Sequence, residues 1–148
     1  MRRVFLVIDD NSKDAAGTQR QLQLIDPQAE VLVAADGDSA LALLTERRVA
    51  PSLVCLDYAL GGRNGIEILS EIRTQRWLER VPVVMLTEPI ADRLVVNCYR
   101  LGAAAFLTKP VSTFELRETV RDFAQETRQL AAASLVTGAT GQSQANAA

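Results

Sequence analysis

Short, nearly uninterrupted apolar runs alternate along this chain with longer stretches in which apolar residues recur every three or four positions. The first run, Val4-Phe5-Leu6-Val7-Ile8, is apolar throughout, as expected of a strand buried on both faces of a sheet. Asp9-Asp10-Asn11-Ser12 breaks it and supplies helix-capping side chains. Over residues 14–25, Ala15, Thr18, Leu22 and Ile25 form a stripe at spacings of three and four, which predicts an amphipathic helix that Asp26-Pro27 ends. Residues 31–35 predict a second strand. Asp36-Gly37-Asp38-Ser39 reads as turn and cap, and residues 40–48 as a short helix with Leu41 and Leu44 inward.

The alternation continues. Pro51 opens a third unit, in which residues 53–56 form a strand that runs into Asp57. Residues 61–65 read as a loop, and Ile66, Leu69, Ile72 and the aliphatic stem of Arg76 as the inner face of the next helix. Residues 81–86 predict a strand ending at Thr87, with Pro82 near its start, where a missing N–H is tolerated. Residues 91–101 predict a helix closed by Gly102, and residues 105–108 a short strand ending at Lys109-Pro110. Ser112 caps a last helix with Leu116, Val120 and Phe123 inward. Five consecutive βα units with right-handed crossovers give an α/β fold: a doubly wound parallel five-stranded sheet with helices on both faces. One domain is expected over residues 1–130. Residues 131–148 are Ala, Ser, Thr, Gly, Gln and Asn, with Leu135 and Val136 the only large apolar side chains, so a flexible tail or the start of a linker is expected there.

Composition narrows the chemistry. The 148 residues are 48% hydrophobic and 23% charged, an ordinary globular balance, and no apolar run approaches the roughly 20 residues of a membrane span. The formal net charge of −2 leaves no broad basic surface for nucleic acid, and no basic stripe or helix-turn-helix is visible. The absence of histidine excludes a Ser-His-Asp triad, a Cys-His pair, a His zinc site and a phosphohistidine of the chain's own. Cys55 and Cys98 make neither a disulfide framework nor a thiolate metal set, and read as small core residues in a reducing cytoplasm.

In such a sheet the ligand site lies beyond the carboxyl ends of the strands, where strand order reverses. The residues that end the strands are Asp9 and Asp10, then Asp57, Thr87 and Lys109. Two carboxylates about 4 Å apart repel by roughly 4 kcal/mol at an effective dielectric of 20, so three together call for a proton or a cation. Oxygen ligands without His or Cys suit Mg2+ or Mn2+. A carboxylate nucleophile, a divalent ion, a lysine and a hydroxyl together make a site for a phosphoryl group. Taken singly, each piece has a plainer reading: Asp9-Asp10 as a cap or solvated turn, Thr87 as a cap, Lys109-Pro110 as a surface turn.

As a set, the acidic pair in Val-Ile-Asp9-Asp10-Asn, Asp57 with Gly65 downstream, Leu-Thr87, Gly102-Ala103 and Phe106-Leu-Thr-Lys109-Pro110 resemble the receiver domain of bacterial two-component response regulators, the CheY-like family. The likeness runs from about Arg3 to Phe123 and implies strand order 2-1-3-4-5. It implies that Asp57 accepts a phosphoryl group from a sensor-kinase phosphohistidine, and that the chain is no enzyme beyond catalysing its own phosphorylation and dephosphorylation. It implies Mg2+ held by Asp10, Asp57 and the Ala59 backbone carbonyl, with Asp9 acting through water. It implies Lys109 and Thr87 as phosphoryl-oxygen partners, and a cis Lys109-Pro110 bond, which costs only about 0.5–1 kcal/mol. It further implies that the added charge of roughly 1.5–2 units draws Thr87 in and turns Phe106 inward, remodelling the face of the fourth helix, fifth strand and fifth helix. A plain core role for Phe106 stays open, since Phe lacks the hydroxyl that favours an outward pose.

Departures from the family pattern carry expectations of their own. Glu88 follows Thr87 where the family has a small residue, and its charge should repel small anionic phosphodonors. Ala59 and Pro89 cannot orient a water by hydrogen bonding, which favours a long-lived phospho-form. Leu60-Gly61 replaces the usual Met-Pro, so a more mobile loop is expected. The expected partners are a sensor kinase or phosphotransfer protein and a downstream protein, without nucleic acid or membrane and without a further output domain. Arg93, Arg100, Arg117 and Arg121 suit a homodimer through the fourth-helix to fifth-helix face, and solvated helix faces account for them equally. Trp77, Leu78 and Tyr99 read either as exposed contacts or as core. The rival readings are a phosphorylation-independent pseudo-receiver acting as an adaptor, an aspartyl-phosphate phosphatase, and a flavodoxin-like binder. Ala59 supplies no general acid for the second, and no hydroxyl- and glycine-rich phosphate loop follows the first strand for the third.

Overall fold

Five apolar runs become five parallel strands: β1 (Val4–Ile8), β2 (Glu30–Ala34), β3 (Leu53–Asp57), β4 (Val83–Thr87) and β5 (Ala105–Thr108). They lie in the order β2-β1-β3-β4-β5, so the expected doubly wound sheet and its strand order are both present. The structure, a computed structural model, describes residues 2–125 and 128–129. The segment expected to be a tail, 131–148, lies outside the described residues. β1, β3 and β4 are buried at every position, the pattern of strands covered on both faces.

Alternate residues of the strands feed two separate cores. Phe5, Val7, Leu53, Cys55, Val84 and Leu86 meet α1 (Ser12–Ile25) and α5 (Thr113–Phe123) through Ala15, Leu22, Leu116 and Val120. Leu6, Ile8, Val54, Leu56, Val83 and Met85 meet α2 (Gly37–Arg47), α3 (Gly65–Thr74) and α4 (Asp92–Arg100) through Ala40, Leu44, Ile68, Leu69, Ile72 and Cys98. Side-chain caps start four of the helices: Asn11, Asp36, Asn64 and Ser112 accept backbone N–H groups, and Asn64 and Ser112 form reciprocal capping boxes with Glu67 and Glu115.

Several boundaries and faces differ from expectation. α2 begins at Gly37 rather than residue 40, because Asp36 caps it by accepting the Ser39 N–H. Its buried residues are Gly37, Ala40 and Leu44, with Leu41 only half-buried. In α3 Ile68 joins Leu69 and Ile72 inside while Ile66 is half-buried. The helix stops at Thr74, so Arg76 falls on a 3-10 turn and is exposed, and Leu78 on that turn is fully buried. Tyr99 is exposed and Trp77 half-buried. In α5 Thr119 is buried and Phe123 is 37% exposed, as the helix ends where the sheet no longer covers it. Two short antiparallel ribbons were not legible as strands: Ala59–Leu60 with Arg63–Asn64, and Val49–Ala50 with Arg128–Gln129.

At the edge where β4 and β5 begin, Arg73 of α3 ties three connections together. Its guanidinium donates to the carbonyls of Leu78 at 3.0 Å, Val81 at 2.9 Å and Gly102 at 2.9 Å. Arg73→Ala leaves these acceptors without their fork and is expected to lower the unfolding free energy by about 2–3 kcal/mol in urea melts. Arg73→Lys is expected to recover less than half, because an ammonium on a single stem does not reproduce a planar five-donor fork.

Candidate functional site

Strand register builds the site. Ile8 is paired with Ala34 on one side and Leu56 on the other, Asp57 is paired with Leu86, and Thr87 with Thr108. One residue past these rungs come Asp9 and Lys109, so one rim of the sheet gathers Asp9, Asp10, Asp57, Thr87 and Lys109. The register thereby assembles all five predicted strand-end residues. Asp9, Asp57 and Thr87 are buried, Asp10 is exposed and Lys109 half-buried. The Lys109-Pro110 bond is cis, and the Lys109 N–H donates to the Thr87 carbonyl at 2.8 Å, which ties β5's exit to β4.

Carboxylate oxygens of Asp9, Asp10 and Asp57 all lie within 4.8 Å of one another. Lys109 Nζ stands 3.3 Å from Asp9 Oδ2 and 3.5 Å from Asp57 Oδ2. The balance of forces on Asp57 favours its protonated form. Burial is the largest cause, and the charge of Asp9 and a hydrogen bond with its carboxyl add to it. The Lys109 ammonium and the Ala59 N–H pull the other way, leaving Asp57 at about 6. Lys109 shows the complement. Burial pulls its ammonium down, but the Asp14 hydrogen bond and the charges of Asp57 and Asp9 outweigh that and hold it above its ordinary value. A rim with three crowded carboxylates, one of them with its proton affinity raised by burial and by its neighbour's charge, fits a hard divalent cation with oxygen ligands.

The segment after Asp57, expected as a loop over residues 61–65, includes a short antiparallel pairing. Ala59–Leu60 and Arg63–Asn64 form a hairpin whose Leu60 is buried. Arg63 braces it, with Nη2 at 2.6 Å from Glu71 Oε2, and Glu67 and Asp38 at 3.8 and 4.0 Å. Gly61 has φ +59, and a Cβ there would sit 3.2 Å from Asp10 Oδ2, whereas nothing lies within 4 Å of a Cβ at Gly62. Gly65 has a different reason. Its N–H donates to the Tyr58 carbonyl, and a Cβ would come within 2.6 Å of the Asp57 carbonyl oxygen, so α3 starts directly on the backbone of Asp57.

The remaining predicted residues are placed as follows. Phe106 is half-buried and packs against the core beneath α3 and α4. Glu88 and Pro89 are exposed beside Thr87, and Ala59 is exposed on the hairpin. Arg93, Arg100 and Arg117 are exposed and form no ion pair among the described residues, while Arg121 pairs with Glu118 and Asp122. Sequence reasoning missed Asp14, whose Oδ2 is 3.0 Å from Lys109 Nζ, and Arg63, the hairpin brace. Asp14 was findable as an acid in the first turn of the helix that starts at this rim. Arg63 carried only the i,i+4 spacing to Glu67 as a local signal, since Asp38 lies on α2 and Glu71 a further turn along α3.

The family model for the response regulator receiver domain matches residues 5–121. The chain is 31% identical over 139 residues to response regulator Rcp1 of Synechocystis sp., an alignment covering 88% of this chain and 95% of that protein. It is 32% identical over 129 residues to the sensory/regulatory protein RpfC of Xanthomonas campestris pv. campestris, covering 86% of this chain but only 17% of that protein. The crystal structure of the phosphorylated cyanobacterial phytochrome response regulator RcpA superposes with a TM-score of 0.69 at 28% identity, covering 82% of this chain and 91% of that one. Among the described residues no helix is long and apolar enough to cross a membrane.

The state of Asp57 makes a linkage prediction for the metal-free protein. A carboxyl raised from 3.8 to about 6 binds its proton more tightly when folded, so its share of stability falls as pH rises from about 4 to 6 and stays low above. Asp57→Asn removes that repulsion and is expected to stabilise the protein in EDTA by about 1–3 kcal/mol at pH 7.5, with the gain vanishing below about pH 4. Urea melts of both proteins across this range check it.

Proposed function

The chain belongs to the response regulator receiver domain family, and from that premise we propose that it is a phosphoacceptor in a two-component system, with Asp57 the accepting residue. The carrying observation is the buried Asp57 carboxyl, flanked by two further carboxylates and 3.5 Å from the Lys109 ammonium. An Asp57 oxygen attacks phosphorus, the P–N bond of a kinase phosphohistidine breaks, and the imidazole nitrogen leaves with the electron pair and takes up a proton.

Asp10 and Asp57 would hold Mg2+ or Mn2+ directly, Asp9 through water, with the Ala59 carbonyl completing the protein ligands. When bound, the ion supplies positive charge that offsets the transferring group's. Lys109 pairs with a phosphoryl oxygen, and the Thr87 hydroxyl, at the end of the adjacent strand, donates to another. Phe106 lies between full burial and exposure, and it follows the movement of Thr87 inward to alter the α4-β5-α5 face that a downstream protein reads. Donors are a sensor kinase or a phosphotransfer protein, and chemistry beyond the chain's own phosphorylation and dephosphorylation is not assigned to it. The two free, buried cysteines fit a reducing compartment such as the cytoplasm.

Intact mass after incubation with acetyl phosphate and Mg2+ tests the reading. A single phosphoryl adduct is expected, absent in Asp57→Asn and in EDTA. Glu88→Ala is expected to label about two- to fivefold faster, because it removes an exposed charge that small anionic donors must approach. No adduct on either the wild type or Glu88→Ala, and none from a phosphorylated phosphotransfer protein, overturns the phosphoacceptor reading in favour of an adaptor that works without phosphate.

A further inference from the structure

Lys109 is fully subscribed. Its ammonium has three hydrogens, and three carboxylates claim them: Asp14 at 3.0 Å, Asp9 at 3.3 Å and Asp57 at 3.5 Å. The shortest contact is to Asp14, which stands outside the trio of carboxylates that cluster around Asp57. Asp14 is not there by chance of a mobile side chain alone. Asn11 accepts the Asp14 N–H at 2.9 Å through its side chain and donates its own N–H to Asp9 Oδ1 at 2.9 Å, so one capping residue sets the positions of both Asp9 and Asp14. Two turns further along α1, Gln21 donates to the Val111 carbonyl at 2.8 Å and to Thr113 Oγ1 at 3.2 Å, just past Lys109. α1 therefore grips the lysine at its tip and its backbone segment downstream.

A phosphoryl oxygen that pairs with Lys109 must take one of these three hydrogens. The three carboxylates do not give theirs up at equal cost. Asp9 is 4% exposed, and stripping its counter-charge would leave a buried carboxylate unpaired. Asp57 is the residue that carries the new group. The Asp14 side chain is 45% exposed, so water takes over its solvation when the lysine leaves. We propose that Asp14 is a positioning residue: it latches the Lys109 ammonium in the unphosphorylated protein, yields it to the phosphoryl group, and so opposes phosphorylation while coupling the state of the site to the first turn of α1. The inference rests on the reading of Asp57 as acceptor.

Two measurements at saturating Mg2+ test it, with beryllium fluoride as the phosphoryl mimic. Asp14→Asn is nearly isosteric and is expected to bind beryllium fluoride about two- to fivefold more tightly than the wild type, the range of a half-exposed ion pair, with Asp14→Glu close to wild type. In the unmodified protein the Asp14 side-chain carboxyl carbon, followed by NMR, is expected to shift on beryllium fluoride addition, and to show no such shift in Lys109→Ala. A purely structural role for Asp14 in α1 moves neither reading. Binding to the wild type with an unchanged Asp14 signal and equal affinity in Asp14→Asn overturns the latch and leaves the acceptor reading standing. No binding to the wild type, together with no phosphoryl adduct from acetyl phosphate, overturns both.

Discussion

The arrangement of this molecule follows from crowding carboxylates on one rim of a parallel sheet with a single ammonium to balance them. Asp9 and Asp57 are forced together by register, since neighbouring strands end one rung apart, and the exposed Asp10 that follows Asp9 offers a carboxylate oxygen within 4.8 Å of both. Lys109 must then reach across from the edge strand, and its backbone is tied to Thr87 on the way. The remaining imbalance shows in the Asp57 carboxyl, which burial and the charge of Asp9 push up to about 6. Such a rim is unstable by construction and therefore responsive. A divalent ion or a change in the acceptor's charge shifts the whole balance, because no other cation of the described residues lies within ion-pair distance of Asp57.

Much of this was legible in the sequence because the signals were local. Uninterrupted apolar runs, caps such as Asn11 and Ser112, and the residues closing each strand define the sheet and its functional rim without knowledge of tertiary contacts. What could not be read were features made by distant segments meeting. Ile68 is buried against Gly37 of α2, and Leu78 is buried on the turn after α3, neither of which the stripe of Ile66, Leu69 and Ile72 shows. Phe123 satisfies the helical spacing but lies beyond the sheet's cover. The expectation of a more mobile loop after Asp57 rests on Leu60-Gly61 in place of Met-Pro, and those residues do not reveal the hairpin. Arg63 braces that hairpin through Asp38 of α2 and through Glu67 and Glu71 of α3.

The two ends of the sheet divide the work. At the starts of β4 and β5, Arg73 donates only to backbone carbonyls, a fixed network with no charged partner to compete for it. At the opposite end, the Lys109 ammonium is held by ionised side chains whose claims on it can be exchanged. Rigidity at one edge lets charge rearrange at the other without loss of register, since the strands between them are buried on both faces.

The glycines after Asp57 have opposite tolerances, and this has a practical consequence. Position 65 accepts no side chain, while position 62 faces open space only a few residues away. Both native thiols are buried, and burial alone pushes the Cys55 thiol up to about 12 and raises that of Cys98 as well, so neither competes for an alkylating dye. A cysteine introduced by Gly62→Cys would be the single reactive thiol of the folded chain. It would place a fluorophore one residue from Gly61, where any Cβ would crowd Asp10, giving an optical reporter of events at the rim without altering any residue that forms it.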